Sequence, residues 1–390
     1  DDLPDVALGR IPFSDPERAG MLLERTRDVE ASYEPGPWST LIRLFASEAG
    51  FGEVIDSVIE EAGFAAVEEV PNDWQISFAY ARPGSPYAYP PARFSDHVYE
   101  LLNSGSVFAT YIGHGWEEGF TTIDWEGERA PILDTSELHR LDMQHRLPML
   151  LFIACLTGSF DTGDSLAEQF LEQPGGPATI IASTEISHPF ADGVMTREIA
   201  QTMLVQRLRT IGEAYTEAKR RMVTAADDQI RVDLDAMAGV DPTTATPELR
   251  DELLISHQHM FVLFGDPAHV VAYPAGTVEI ELESAELVAG EDVRACVQIH
   301  GPPAGHAVVT LEVDRETIAF NTESWEMDDP DRDDVIVANH ALANEKVIEM
   351  LEMDYDGGGF GVAFPTELAH TGSLHLRVYV SQDDLDAVGA

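Results

Sequence analysis

The chain has 390 residues, and 23 basic against 70 acidic side chains leave a formal charge of −47 at neutral pH. At roughly 150 residues per domain this length makes two or three domains, and a hydrophobic content of 44% is enough for packed cores, which excludes a wholly disordered chain. So negative a field repels phosphate backbones and anionic headgroups, so the expected partners are proteins or peptides, cationic ones above all, and not nucleic acid or a membrane surface.

Lys219 and Lys346 are the only lysines. A surface dominated by Asp and Glu suits a salt-rich medium, where a Debye length of about 3 Å at roughly 1 M salt removes most of the self-repulsion. The two cysteines, Cys155 and Cys296, fall in different segments and exclude a disulfide framework. No run of eighteen apolar residues is present, so no membrane-spanning helix is expected.

In chain order, residues 1–274 alternate short apolar runs with helical segments, the pattern of a parallel α/β sheet covered on both faces. Val107–Ile112, Met149–Ala154, Thr179–Ala182 and Phe261–Phe264 read as strands. Val54–Glu61, Ser95–Leu102, Ser165–Leu171, Val194–Arg207 and Ile211–Val223 read as helices. After Pro274-Ala275-Gly276 the period changes to two. Thr277–Leu282, Val293–Ile299, Val308–Val313 and Leu374–Val380 alternate between Gly, Pro and Asp turns, which predicts an immunoglobulin-like antiparallel β-sandwich over residues 275–390. The acidic run Glu326–Asp334 interrupts that domain. Its oxygens are dense enough for a calcium ion, but it lacks the spacing of a helix-loop-helix site, and it reads as a solvated loop.

Residues able to do chemistry sit at strand ends. His114 follows one apolar strand in Tyr111-Ile112-Gly113-His114-Gly115, and Cys155 follows another in Phe152-Ile153-Ala154-Cys155-Leu156. Ligands of open α/β sheets bind beyond the carboxyl ends of the strands, so two neighbouring parallel strands would present both side chains on one rim. A thiol with its reference pKa of about 8.5 needs a base at neutral pH, and an imidazole can take its proton and later return it to a leaving amine. The amides of Gly115 and Cys155 are candidate oxyanion donors. Taken singly, a cysteine after an apolar strand is more often inert core, so spacing alone does not carry the assignment. His257-Gln258-His259 would put two imidazoles on one face of a strand, but no third zinc ligand lies at a recognisable spacing.

The segment from Asp5 to about Tyr273 resembles the catalytic domain of the gingipains, cysteine peptidases with a caspase-like fold. The matching blocks are Pro4–Arg10 with a helix ending near Tyr33-Glu34, Tyr111–Gly115, Leu147–Cys155 with Gly158 and Phe160, Ile180–Thr184, and Val262–Pro267. The resemblance implies a caspase-like parallel sheet flanked by helices, with the first subdomain truncated at the N-terminus, and an immunoglobulin-like module after it. It implies Cys155 as nucleophile, His114 as general base and acid, and Glu48, in what reads as an Ala46-Ser47-Glu48 loop ahead of a helix, as the carboxylate that orients the histidine. The family's calcium sites are not traceable here and its aromatic pocket wall has no counterpart around Glu185–Phe190. No cofactor is thus expected for the chemistry, structural calcium is left open, and the residue preferred at the cleaved bond is not transferable. Asp1-Asp2-Leu3-Pro4 carries no leader features, so either the protein stays inside the cell or the numbering starts after a removed leader; the expected setting is secreted or cell-surface, with the leader taken as removed. Two alternatives keep the fold: an inactive binding or assembly module, and a transpeptidase in which an amine replaces water.

Overall fold

The computed structural model describes residues 3–48, 50, 67, 69–144, 146–161, 163–224, 244, 246–286, 291–364 and 372–390. The expected helix Val54–Glu61 lies outside the described residues.

Six strands form the first sheet: β1 (Leu41–Ser47), β2 (Gln75–Ala81), β3 (Phe108–Ile112), β8 (Met149–Ile153), β9 (Thr179–Ser183) and β10 (Phe261–Gly265). Their order is β10-β9-β8-β3-β1-β2. All neighbours are parallel except β10, which runs antiparallel to β9. Two short hairpins, β4–β5 (Gly115–Trp116 with Gly119–Phe120) and β6–β7 (Thr122–Trp125 with Glu128–Pro131), follow β3.

Because successive strand residues point to opposite faces, the sheet feeds two cores. Phe45, Tyr111, Leu150, Phe152 and Ile180 pack with Leu22 of α1 (Pro16–Ala31), Phe94 of α2 (Pro91–Asn103) and Phe170 of α3 (Leu166–Glu172). Ile42, Phe108, Leu151, Ile153 and Leu263 pack with Met195 of α4 (Pro189–Ala200), Tyr215 of α5 (Ile211–Thr224) and Leu254 of α6 (Pro247–Met260). Every residue of β8 and β9 is buried, which explains runs that are apolar on both faces. The helix starts are legible as chemistry. Asp15 accepts from the Glu17 amide at 2.9 Å ahead of Pro16, and Ser165 and Glu168 form a reciprocal capping box.

The second domain is a seven-stranded ladder of β11 (Gly276–Leu282), β12 (Val293–His300), β13 (Ala304–Val313), β14 (Val347–Asp356), β15 (Gly359–Phe364), β16 (Leu374–Gln382) and β17 (Leu385–Gly389). Its order is β14-β13-β16-β17-β11-β12-β15, and its two end strands approach each other beside the short turn that joins them. Along β12, Val293, Ala295, Val297 and Ile299 are buried and the residues between them exposed. Pairing is antiparallel except between β11 and β17. Strands β14, β15 and β17 were not among the expected ones.

Three expectations are corrected. The acidic run Glu326–Asp334 is not simply a solvated loop: from Arg332 it winds into α7 (Arg332–Asn344), and Arg332, buried, donates to Glu128 of β7 and to Asp333. A neutralising arginine and the Ile336 and Ala343 stripe supply what the acidic composition conceals. His257 and His259 lie in the last turn of α6, not on a strand. Two residues apart on a helix, they point in different directions, His257 buried and His259 exposed. Ala46 and Ser47 are the last two residues of β1, not a loop.

The domains share polar contacts. The fully buried Asp386 accepts from Tyr33 (2.7 Å), Ser39 (3.0 Å) and Tyr379 (3.0 Å), and from the Ala275 amide (3.2 Å). Asn344 of α7 takes both backbone groups of Phe78 in β2, accepting from its amide at 2.7 Å and donating to its carbonyl at 3.0 Å.

Between α2 and α7, His97 and His340 meet with ring centroids 4.7 Å apart, and Tyr89 stacks on His97 at 3.9 Å. Burial lowers both imidazoles, His97 to about 4 and His340 to about 3. Below the ordinary value of 6.5 the unfolded chain then binds more protons than the folded one, so stability falls as pH drops from 6.5 towards 4. Urea unfolding across that range should show this loss, and the His97→Gln, His340→Gln double variant should show a shallower one.

Candidate active site

The parallel register determines what meets at the carboxyl rim. Ala46 of β1 pairs with Ile112 of β3, and Ile112 pairs with Ile153 of β8. Two residues beyond each lie Glu48, His114 and Cys155. The three candidates from separate parts of the chain therefore occupy one row across adjacent strands that stand about 4.8 Å apart. The Gly113 amide carries the pairing one step further by donating to the Ile153 carbonyl at 3.1 Å.

The His114 turn is built on a glycine in a left-handed setting. Gly113 has φ +152°, and a Cβ there would stand 2.0 Å from Ser47 Oγ and 2.8 Å from the Tyr111 hydroxyl. Tyr111, buried and stacked on Phe120 at 3.7 Å, has its hydroxyl 3.0 Å from both Ser47 Oγ and the His114 carbonyl. The carbonyl only accepts, so the phenol's single proton goes to it and the Ser47 hydroxyl donates to the phenol oxygen. Gly115 is equally confined. A Cβ there would lie 2.8 Å from Thr157 and 3.2 Å from the Cys155 carbonyl, so the His114 loop runs directly against the Cys155 loop. At the end of β1, Gly50 approaches the imidazole, its virtual Cβ 3.8 Å from His114 Nε2. Glu48 is exposed, with its carboxylate 3.8 Å from Arg82 Nε.

Cys155, half-buried, begins the turn after β8. Its successor Leu156 has φ +60°, a conformation a leucine adopts only where the surroundings enforce it. The enforcement is visible: the Leu156 amide donates to the Glu185 carbonyl at 3.1 Å, and the Gly158 amide to Ser183 at 2.8 Å. Among the described residues no backbone carbonyl accepts from the Cys155 amide.

The thiol faces a residue that the sequence reading treated only as part of a loop. Sγ lies 3.8 Å from Ser187 Oγ and 3.9 Å from the Ser187 carbonyl. Ser187 Oγ is 2.7 Å from Asp192 Oδ2, in the first turn of α4. Burial raises the Asp192 carboxyl to about 7 against the Ser187 hydrogen bond, which pulls it the other way. Behind it, His257 Nε2 accepts from the His188 amide at 2.7 Å, while Nδ1 stands 2.8 Å from the Leu253 carbonyl. Burial lowers its basicity to about 4, although the hydrogen bond to Leu253 pulls the other way. His257 is thus a neutral brace for the loop, not a metal ligand. Among the described residues no group of three or more His, Cys, Asp or Glu is arranged to hold a metal ion, and both cysteines are free thiols.

A half-buried thiol thus follows the end of β8, and an imidazole follows the end of the neighbouring parallel strand β3. Over residues 1–272 the chain matches the profile of peptidase family C25, the gingipain family, and it belongs to that family. It is a cysteine-type peptidase and hence a hydrolase. Two solved structures are similar across the whole chain: the Arg-specific cysteine proteinase gingipain R (16% identity, TM-score 0.47, 75% of that chain) and the Porphyromonas gingivalis RgpB complex of pro- and mature domains (15% identity, TM-score 0.48, 77%). No curated protein sequence matches.

Gly113→Ala tests the floor of the site. It should lower stability by about 2 kcal/mol or more, through the positive φ and the overlap with Ser47. Adding Ser47→Gly should recover only the part owed to overlap. Both are read from denaturant unfolding.

Proposed function

We propose that the chain is an endopeptidase that hydrolyses peptide bonds through a Cys155–His114 dyad and a thioester acyl-enzyme. His114 takes the Cys155 proton, and the sulfur attacks the scissile carbonyl carbon. The resulting oxyanion is met by the amides of Gly115 and Cys155, and one such donor is worth about 10²–10³ in rate. As the C–N bond breaks, the imidazolium gives its proton to the leaving amine, leaving a thioester. Water, deprotonated by the same imidazole, then attacks the thioester, and the new carboxyl product leaves with the thiol restored. Glu48 is proposed to orient His114 from the strand on its far side.

The observation that carries this reading is the register of β1, β3 and β8, whose paired residues Ala46, Ile112 and Ile153 each stand two residues before Glu48, His114 and Cys155. The loops support it in detail, since the positive φ at Leu156 turns the chain sharply just after the sulfur. Substrate chemistry follows from charge: a chain at −47 attracts cationic segments over distances set by ionic strength.

Cys155→Ala should reduce cleavage of a peptide library to background, with unfolding midpoint and circular dichroism unchanged. His114→Ala should lower kcat by at least about 10²-fold. Cleavage that survives Cys155→Ala would remove the sulfur from the mechanism.

A further inference from the structure

The contacts of the sulfur suggest how its charge is controlled. Among the described residues Ser187 Oγ is the polar side-chain atom within bonding reach of Cys155 Sγ, and it is shared with a carboxyl. A serine hydroxyl has one hydrogen. If Asp192 is ionised, that hydrogen must go to Oδ2, and the oxygen lone pairs are what Ser187 offers the sulfur. If Asp192 is protonated, its own O–H donates to Ser187 Oγ, and the serine hydrogen is released towards Sγ. A thiolate is stabilised by the second arrangement and opposed by the first, which also sets a carboxylate charge one residue away.

The other oxygen of the carboxyl indicates which state the fold prefers. Asp192 Oδ1 is buried and accepts no hydrogen bond among the described residues, so an ionised carboxylate there would be poorly solvated. The charged neighbours leave that oxygen unserved. From α6, His257 Nε2 is 4.0 Å away and already accepts the His188 amide. From α5, Lys219 donates to the Phe261 carbonyl and Arg221 to Glu198. On α4 itself, Arg197 pairs with Glu69 and Glu198. In the preceding loop, His188 Nδ1 accepts from the Phe190 amide, and Glu185 contributes its carbonyl to Leu156.

We propose that Ser187 and Asp192 form a proton-sensing relay that positions a hydrogen-bond donor on the Cys155 sulfur when Asp192 is neutral and withdraws it when Asp192 ionises. The proposal rests on Cys155 being the nucleophile, and both residues are positioning residues that act through the sulfur's environment. As burial holds Asp192 near 7, the relay would switch across neutrality: thiolate is favoured on the acid side of that point, and its formation is restrained as pH rises through it.

The test is the pH profile of Cys155 alkylation by iodoacetamide in a Cys296→Ser background, read by mass spectrometry and needing no substrate. Wild type should show an inflection near neutrality in addition to the thiol's own. Asp192→Asn, whose amide donates permanently to Ser187, should lose that inflection. It should react about fivefold faster than wild type near pH 8.5, and within about twofold of it near pH 5.5. Ser187→Ala should slow the reaction near pH 5.5 by about fivefold and Ser187→Thr should restore it, a rescue that separates the hydroxyl from a packing defect. Superimposable profiles for wild type and Asp192→Asn, or an unchanged rate in Ser187→Ala, would overturn the relay. Peptide cleavage is measured in parallel. Shifted profiles without cleavage would remove the endopeptidase reading and keep the relay, and cleavage with unshifted profiles would do the reverse.

Discussion

The constraint on which the site depends is the register of three parallel strands. A slip of one residue between neighbouring strands turns every side chain to the other face. Burial of Tyr111 on one face and of Ile153 on the other penalises any such slip. The pairing Ala46, Ile112, Ile153 is therefore held by two cores at once, and the row beyond it, Glu48, His114 and Cys155, inherits that precision. Arg82 extends the row to a fourth strand, since Ser47 pairs with Ala81 and the next residues form the Glu48–Arg82 ion pair. Long side chains need little further positioning when their backbones leave the sheet in line.

Much of this was legible because it is written in local pattern. Apolar runs marked β3, β8, β9 and β10, the change to period two after Gly276 marked the second domain, and the strand-end motifs at His114 and Cys155 marked the rim. What escaped depends on partners far away in sequence. Strand β1 carries Arg43 in its middle and ends in Ala46-Ser47, so its end reads as a loop until β2 and β3 pair with it. Helix α7 opens with Arg332, Asp333 and Asp334, and only Glu128, 204 residues earlier, explains why that arginine is buried. At the site itself, Ser187 and Asp192 carry no motif; their spacing of five matters only because the turn into α4 folds the serine back over its own helix and presents it to the sulfur.

The two domains are joined through backbone groups as much as through side chains. Arg315, in the second domain, donates to the carbonyls of Val67, Val70, Pro71 and Trp74, the stretch leading into β2. Four carbonyls converge on one guanidinium, and burial lowers it to about 10 against the pull of Asp73, Glu312 and Asp314. The approach to the outermost parallel strand is thus tied to the sandwich before that strand begins. Asp386 does the same for the stretch around Tyr33 and Ser39, ahead of β1.

Asn344 has a wider consequence. An outer strand normally advertises a free amide and carbonyl every second residue, an invitation for any extended peptide to lengthen the sheet. In β2 the pair belonging to Phe78 is already occupied by a single side-chain amide that imitates the missing neighbour. A peptidase, whose substrates are polypeptide chains, thereby has this position of its own flank closed to strand addition.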